Sequence, residues 1–360
     1  MSNKPSSPDP KWDPWVVYDG SLYQLFYLSG KTDQDPWWKT SWICGGYSQD
    51  LQNWTHTGAL LTPSAKPAWA SGRIFAGSTY KENDRLYLFY SAASQQDIAK
   101  EAIGLATSSD GVHWEQSDNP LLSWRDAKGI CTENGVGYAG RCNLAGHLHW
   151  RDPYVVKCPV TNKYYLFFCT SLTSSTHYQG GLGVAVADKI VGPYQLLSPA
   201  AGPGVSPIWT IESLTIETSN ADKEQWPFYH LERPQVIYFG GRYHLFFSCF
   251  KSSIDPLWLS TVGDHRVSDS TLYWYSSESI TGPFKPTADL PVVAGSASTG
   301  LYGTTFFPKE SKGDWSKVNQ ADGLEMAMLG WYHQDYSLSI SQEFLGMWDK
   351  DELRIVENDI

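Results

Sequence analysis

Residues 230–247 read HLERPQVIYFGGRYHLFF. A carboxylate and a guanidinium, Glu232 and Arg233, stand directly before a proline and an apolar run. The run alternates, breaks at Gly240-Gly241 and resumes as a second aromatic run, which is the pattern of two antiparallel strands joined by a tight turn. Two other windows have the same order of parts: KWDPWVVYDGSLYQLFYLSG from Lys11 and WRDPYVVKCPVTNKYYLFF from Trp150. Each sets an acid (Asp13, Asp152 or Glu232) at or just before a proline, then a strand, a turn and an aromatic strand. The unit is a repeat, and the repeat decides the fold.

A further copy, KENDRLYLFYSAA from Lys81, and a weaker one, ADGLEMAMLGWYH from Ala321, bring the hairpins to five. A second element follows the first four: GGYSQDLQNWTHTG, GLATSSDGVHWEQ, GVAVADKIVGPYQL and YWYSSESITGPFKP. Each copy supplies about four short strands, the content of one propeller blade. Helical periodicity is nearly absent and no linker divides the chain. The expectation is an all-β, five-bladed β-propeller forming one domain over residues 1–360, with blades beginning near residues 13, 75, 152, 232 and 302. Long insertions at 115–149, 196–229 and 251–270 are expected to shape a site at one end of the central channel.

With 18% charged and 14% aromatic residues, 17 Trp and 21 Tyr among them, the 360-residue chain has ample core material. A net charge of −11 argues against nucleic acid or an anionic membrane as partner. No run approaches about 18 apolar residues. The opening MSNKPSSPDP lacks a secretory pattern, so the expected location is cytoplasmic, or secreted if a leader precedes this sequence. Cys44, Cys158, Cys169 and Cys249 lie in strand-like runs and read as buried thiols. Cys131 and Cys142 flank a glycine-rich loop and would bridge in an oxidising compartment. There is no CxxC pair, nucleotide-binding fingerprint or GxSxG elbow, and no cofactor is expected. His147 and His149, in GHLHW, lack a third ligand and read as loop residues rather than a metal pair.

The first strand of every propeller blade lines the channel, so residues opening those strands converge on the axis. Blades two and five open without an acid, as IFAGSTY and LYGTTFF. Three carboxylates from the other blades would therefore meet at one end. Crowded like charges raise at least one pKa, so that one group holds a proton while another stays ionised. Glycoside hydrolysis needs carboxyls in those two states on either side of the bond to be cut. Trp12, Trp15 and the loop tryptophans offer apolar faces to a sugar. Taken singly, Asp-Pro is a turn starter and Arg151 or Arg233 a structural ion-pair partner. The shared place in the repeat is what singles the three acids out.

These segments resemble glycoside hydrolase family 68, the levansucrase, inulosucrase and bacterial invertase group. WDPW is similar to that family's Trp-Asp-x-Trp nucleophile motif, AGST to its Ser-Gly-Ser-Ala segment, WRDP to its Arg-Asp-Pro motif and LERP to its Glu-Arg-Pro acid motif. SSESITGPFKP and LYGTTFFP resemble later family segments, so the resemblance spans the chain in order. It implies a retaining β-fructofuranosidase or fructosyltransferase working through a covalent fructosyl-enzyme on sucrose or a related fructoside. Asp13 would be the nucleophile, Glu232 the acid and then base, and Asp152 the group that stabilises the transition state. Trp12 and Arg151 would shape the fructosyl subsite, with Trp15, Phe75, Ser78, His230, Arg233, Phe250 and Tyr302 as further substrate-binding positions. The chain departs from the family at Phe75-Ala76, where the family has Trp-Ser. It departs again at His230, in place of an acid, and at Phe250, often Arg or His. The fructosyl half of the pocket is kept and the leaving-group half rewritten. The competing readings are a five-bladed pentosidase and a non-catalytic sugar-binding propeller.

Overall fold

The computed structural model describes residues 9–31, 39–132, 135–138, 148–173, 179–206, 226–262, 267, 270–287, 291–294, 299–319, 323–334, 337–349 and 352–356. These form five antiparallel sheets, each opened by a hairpin that the repeat predicts. The first comprises β1 (Trp12–Tyr18), β2 (Tyr23–Gly30), β3 (Ser41–Ser48) and β4 (Thr55–Leu61), paired in that order. The second runs through β5 (Arg73–Glu82), β6 (Arg85–Ser94), β7 (Asp97–Ser108) and β8 (Glu115–Gln116), with β9 (Leu122–Ser123) against β7. The third contains β10 (Trp150–Lys157), β11 (Tyr164–Leu172), β12 (Gln179–Ala187) and β13 (Gln195–Leu196). In the fourth are β14 (Glu232–Phe239), β15 (Arg242–Phe250), β16 (Ser270–Ser277) and β17 (Lys285–Pro286), with β18 (Val293–Ala294) against β16. The fifth comprises β19 (Tyr302–Pro308), β20 (Leu324–Gln334), β22 (Phe344–Asp349) and β23 (Glu352–Val356), with β21 (Ser337–Ile340) against β20. The insertion after β15 carries a short helix, α1 (Pro256–Val262).

The five opening strands touch in a cycle, β1 to β5, β5 to β10, β10 to β14, β14 to β19 and β19 back to β1. That cycle is the inner wall of a closed propeller. The Lys11 amide donates to the Leu338 carbonyl at 2.9 Å, tying the chain's first strand to the last blade. Core side chains pack between neighbouring blades, because each sheet is apolar on both faces. Phe89 and Leu105 meet Trp150 and Phe168, while Phe167 and Leu182 meet Phe247 and Tyr275. Phe246 and Trp274 meet Met326 and Trp348.

Turn chemistry follows the sequence. Phe239 pairs with Arg242 across Gly240 and Gly241, whose φ values of 58° and 80° are those of a type I′ turn. Cys44, Cys158, Cys169 and Cys249 are buried free thiols, as expected, and Cys131 is exposed. Cys142 and His147 lie outside the described residues. Among the described residues no helix is long and apolar enough to cross a membrane, and no cluster of His, Cys, Asp and Glu is arranged to hold a metal.

Candidate active site

A β-bulge interrupts the pairing of every opening strand near its start. Asp13-Pro14, Asp152-Pro153, Arg233-Pro234 and Gly303-Thr304 each face one residue of the partner strand, and Ala76 is the extra residue of β5. Such a bulge re-aims the side chain it carries. Proline suits three of these positions because it brings no amide that the broken ladder would orphan. Asp13, Asp152, Arg233 and Gly303 have φ values of 49°, 53°, 55° and 58°. The left-handed conformation costs a non-glycine residue about 1 kcal/mol or more, so three such residues persist only where their surroundings hold them. Gly303 is bare for a second reason: a Cβ there would lie 3.0 Å from Asp13 Oδ1 and 3.1 Å from Trp331 Nε1.

The bulges correct one sequence expectation. Asp13 and Asp152 occupy the same place in the repeat, but Glu232 does not. Its blade puts Arg233 at the left-handed position, and Glu232 stands one residue earlier, level with Trp12, Arg151 and Tyr302. Two stacked rings of residues result. Trp12, Phe75, Arg151, Glu232 and Tyr302 precede the bulges, and Asp13, Ala76, Asp152, Arg233 and Gly303 lie on them. The three acids still meet, because a carboxylate one residue earlier on a bulged strand faces the same axis.

Bulge amides that lose their ladder partners find them on the preceding blade. Asp152 N donates to Ser91 Oγ (3.3 Å), Arg233 N to Asp152 Oδ2 (3.0 Å) and Gly303 N to Ser248 Oγ (3.0 Å). The Arg233 guanidinium spans the axis, with Nη1 donating to Gly77 O (2.8 Å) and Nη2 to Pro14 O (3.1 Å). It lies 5.3 Å above the Trp15 ring. Asp152 and Arg233 also line, with Trp15 and Ser78, a cavity of about 810 Å³ along the axis.

Trp331 and Tyr302 hold two of the three carboxyls. Trp331 Nε1 donates to Asp13 Oδ1 at 3.0 Å and the Tyr302 hydroxyl to Glu232 Oε2 at 2.5 Å, the two rings standing edge-on 5.3 Å apart. Glu232 Oε1 faces Arg151 Nη1 (3.3 Å) and His230 Nε2 (2.9 Å). The His230 ring packs 4.4 Å from that of His149, and Phe250 stacks 4.3 Å from Tyr302. His149 is thus buried at the rim of the site rather than serving only its loop.

The electrostatics separate the acids. Burial pushes Asp13 up to about 8, with Asp152 and Glu232 adding to the rise and Arg233 only partly opposing it. Burial also raises Asp152, against the pull of Arg233. Burial raises Glu232 as well, but His230, Arg151 and the Tyr302 hydroxyl outweigh it and hold that carboxyl near about 2. The surroundings thus push Asp13 and Asp152 up and Glu232 down. Two groups so close titrate as a pair, and a proton moving to Glu232 removes one of the charges that hold Asp13 up.

Two contributors escaped the sequence reading. Trp331 lies in the weakest hairpin copy, and Glu101 on β7 is a fully buried carboxylate. Glu101 accepts from Arg151 Nη2 (2.6 Å), Arg151 Nε (3.0 Å), Arg73 Nη2 (3.2 Å) and Trp150 N (3.1 Å). The one local signal is an acid directly ahead of the small and apolar run AIGLA.

Residues 12–177 match the glycosyl hydrolases family 32 N-terminal domain. A levansucrase of Streptococcus mutans is 23% identical over 316 residues, covering 76% of this chain and 36% of that protein. A levansucrase of Rahnella aquatilis is 22% identical over 271 residues, covering 68% and 56%. The chain thus spans about a third to just over half the length of the curated relatives it matches. The structure of an inulosucrase from Halalkalicoccus jeotgali superposes with a TM-score of 0.66 at 18% identity, covering 98% of this chain and 89% of that one. The chain is thus similar to family 32 glycosyl hydrolases over its N-terminal blades and to levansucrases over most of its length, and it shares their propeller fold.

Proposed function

We propose that the protein is a retaining β-fructosidase, cutting sucrose or a related β-fructoside through a covalent fructosyl-enzyme and passing the fructosyl group to water or another sugar. The observation that carries this reading is the pair of carboxyls held by adjacent rings, Asp13 by Trp331 and Glu232 by Tyr302, with Asp152 beside them. The resemblance to levansucrases and an inulosucrase, one neighbour holding kestose and another sucrose, supports a fructoside over a pentoside.

In the productive state the shared proton sits on Glu232 and Asp13 is ionised. Asp13 Oδ1 is engaged by Trp331, which leaves Oδ2 to attack the anomeric carbon. As the glycosidic bond breaks, its electron pair goes to the leaving oxygen, which takes the proton from Glu232. Asp13 is then esterified and Glu232 ionised. Glu232 removes a proton from the incoming acceptor, whose oxygen displaces Asp13 and restores both groups. Asp152, fixed by the Arg233 amide, is suited to hold the sugar hydroxyls during both steps.

Incubation with sucrose, raffinose and short inulin, read by fructose release and by mass spectrometry of the denatured protein for an adduct on Asp13, tests the reading. Silence on all three, or an adduct elsewhere, rejects it. Tyr302→Phe removes a donor that favours ionised Glu232, so the acid should keep its proton to higher pH. The basic limb of kcat/KM is expected to move up by about one pH unit, as measured from a pH profile on sucrose.

A further inference from the structure

Glu101 lies on the third strand of its blade, two strands out from the axis, yet its carboxylate contacts the catalytic ring. Both of its oxygens are used: Oε1 accepts from Arg151 Nη2 and Arg73 Nη2, and Oε2 from Arg151 Nε and Trp150 N. Glu101 and Arg73 have no exposed side-chain surface, and Arg151 has 12%. Gathering three charges out of water carries a large desolvation cost, and well-packed apolar residues of similar size often serve stability as well or better. Stability alone is a poor reason for the trio.

The geometry suggests another. A guanidinium binds a carboxylate best through a two-pronged face. Arg151 spends its side-on face, Nε with Nη2, on Glu101, which fixes the plane of the guanidinium. Nη1 is the donor it turns to Glu232, at a long 3.3 Å. We propose that Glu101 is a positioning residue for the general acid: by gripping the side-on face of Arg151 it holds the guanidinium in an orientation that offers Glu232 only the long Nη1 contact, so that Glu232 can take up the proton it must deliver. Arg73 closes the far side of Glu101 and stacks 3.9 Å from Phe75, which fixes the carboxylate in turn. Among the described residues, the other charged or titratable groups that interact with Glu232 are His230 with His149 behind it, Tyr302, Asp13, Asp152 and the thiols of Cys169 and Cys249. None of them blocks the fork of Arg151.

The kinetic consequence rests on the fructosidase reading; the effect on Glu232 does not. Glu101→Gln keeps the shape and releases Arg151. The basic limb of kcat/KM should fall by about one pH unit, with kcat at neutral pH reduced and KM little changed. Arg73→Met leaves Glu101 wholly to Arg151, and the limb should stay or rise. Carboxyl-carbon NMR of the unliganded protein, following the Glu232 resonance with pH, reads the same effect without turnover. A folded Glu101→Gln protein in which Glu232 titrates as in the wild type overturns the proposal. So do parallel losses of stability and activity in both variants with the basic limb unmoved. A wild type inert toward fructosides whose Glu232 titration nonetheless moves in Glu101→Gln rejects the fructosidase reading and leaves the proposal standing. Should Glu101→Gln fail to fold, Glu101→Asp, which withdraws the carboxylate by one methylene, should shift Glu232 in the same direction, and no shift overturns the proposal.

Discussion

Asp13→Asn should reduce fructoside turnover by about 10⁴-fold or more, since the proposed mechanism has no substitute for this carboxylate as nucleophile. The protein should remain folded. A buried carboxyl raised to about 8 binds its proton more tightly in the native state than in the unfolded chain. Between about pH 4 and pH 8 the native state then carries the extra proton, and by linkage this group's contribution to stability falls as pH rises through that window. The amide has no proton to lose. Relative to the wild type, Asp13→Asn should therefore gain thermal stability as the pH is raised from 4 to 8, while activity is absent throughout. Calorimetric scans at several pH values, beside a sugar-release assay, measure both. A variant that keeps even a tenth of the wild-type rate, or whose stability tracks the wild type across that range, contradicts the assignment.

Arg233→Met should cost about 3 kcal/mol or more of stability. The guanidinium joins carbonyls of the first two blades from a strand of the fourth and balances Asp13 and Asp152. Its loss leaves two buried acceptors without donors and two carboxyls without their counter-charge. Arg233→Lys should recover little, because a single ammonium cannot reproduce a fork whose two prongs meet carbonyls on different blades. Denaturant titration of both variants gives the comparison. A loss under about 1 kcal/mol for Arg233→Met would mean that the axis is held elsewhere.

The propeller was readable because its information is local. Acid, proline, alternating run and tight turn recur within some twenty residues, and the Gly240-Gly241 turn has the conformation its residues predict. The three acids were readable for the same reason, since each opens a strand. Their register was not. Whether Glu232 or Arg233 occupies the left-handed position depends on which two residues bulge against Phe247, and a window containing both polar residues before proline fits either alignment. Glu101 and Trp331 were missed on other grounds. Their partners lie 50 and 318 positions away along the chain, and nothing in AKEAIGLATS or LGWYH encodes that distance.

The bulges have a bearing on how such a protein changes over time. Four of the five blades present one backbone shape at the axis, and it bears a carboxylate twice, a guanidinium once and a bare hydrogen once. Chemistry here is broken symmetry: equivalent mounts, unequal attachments. New specificities can arise by swapping what a mount carries while the mount itself stays in place.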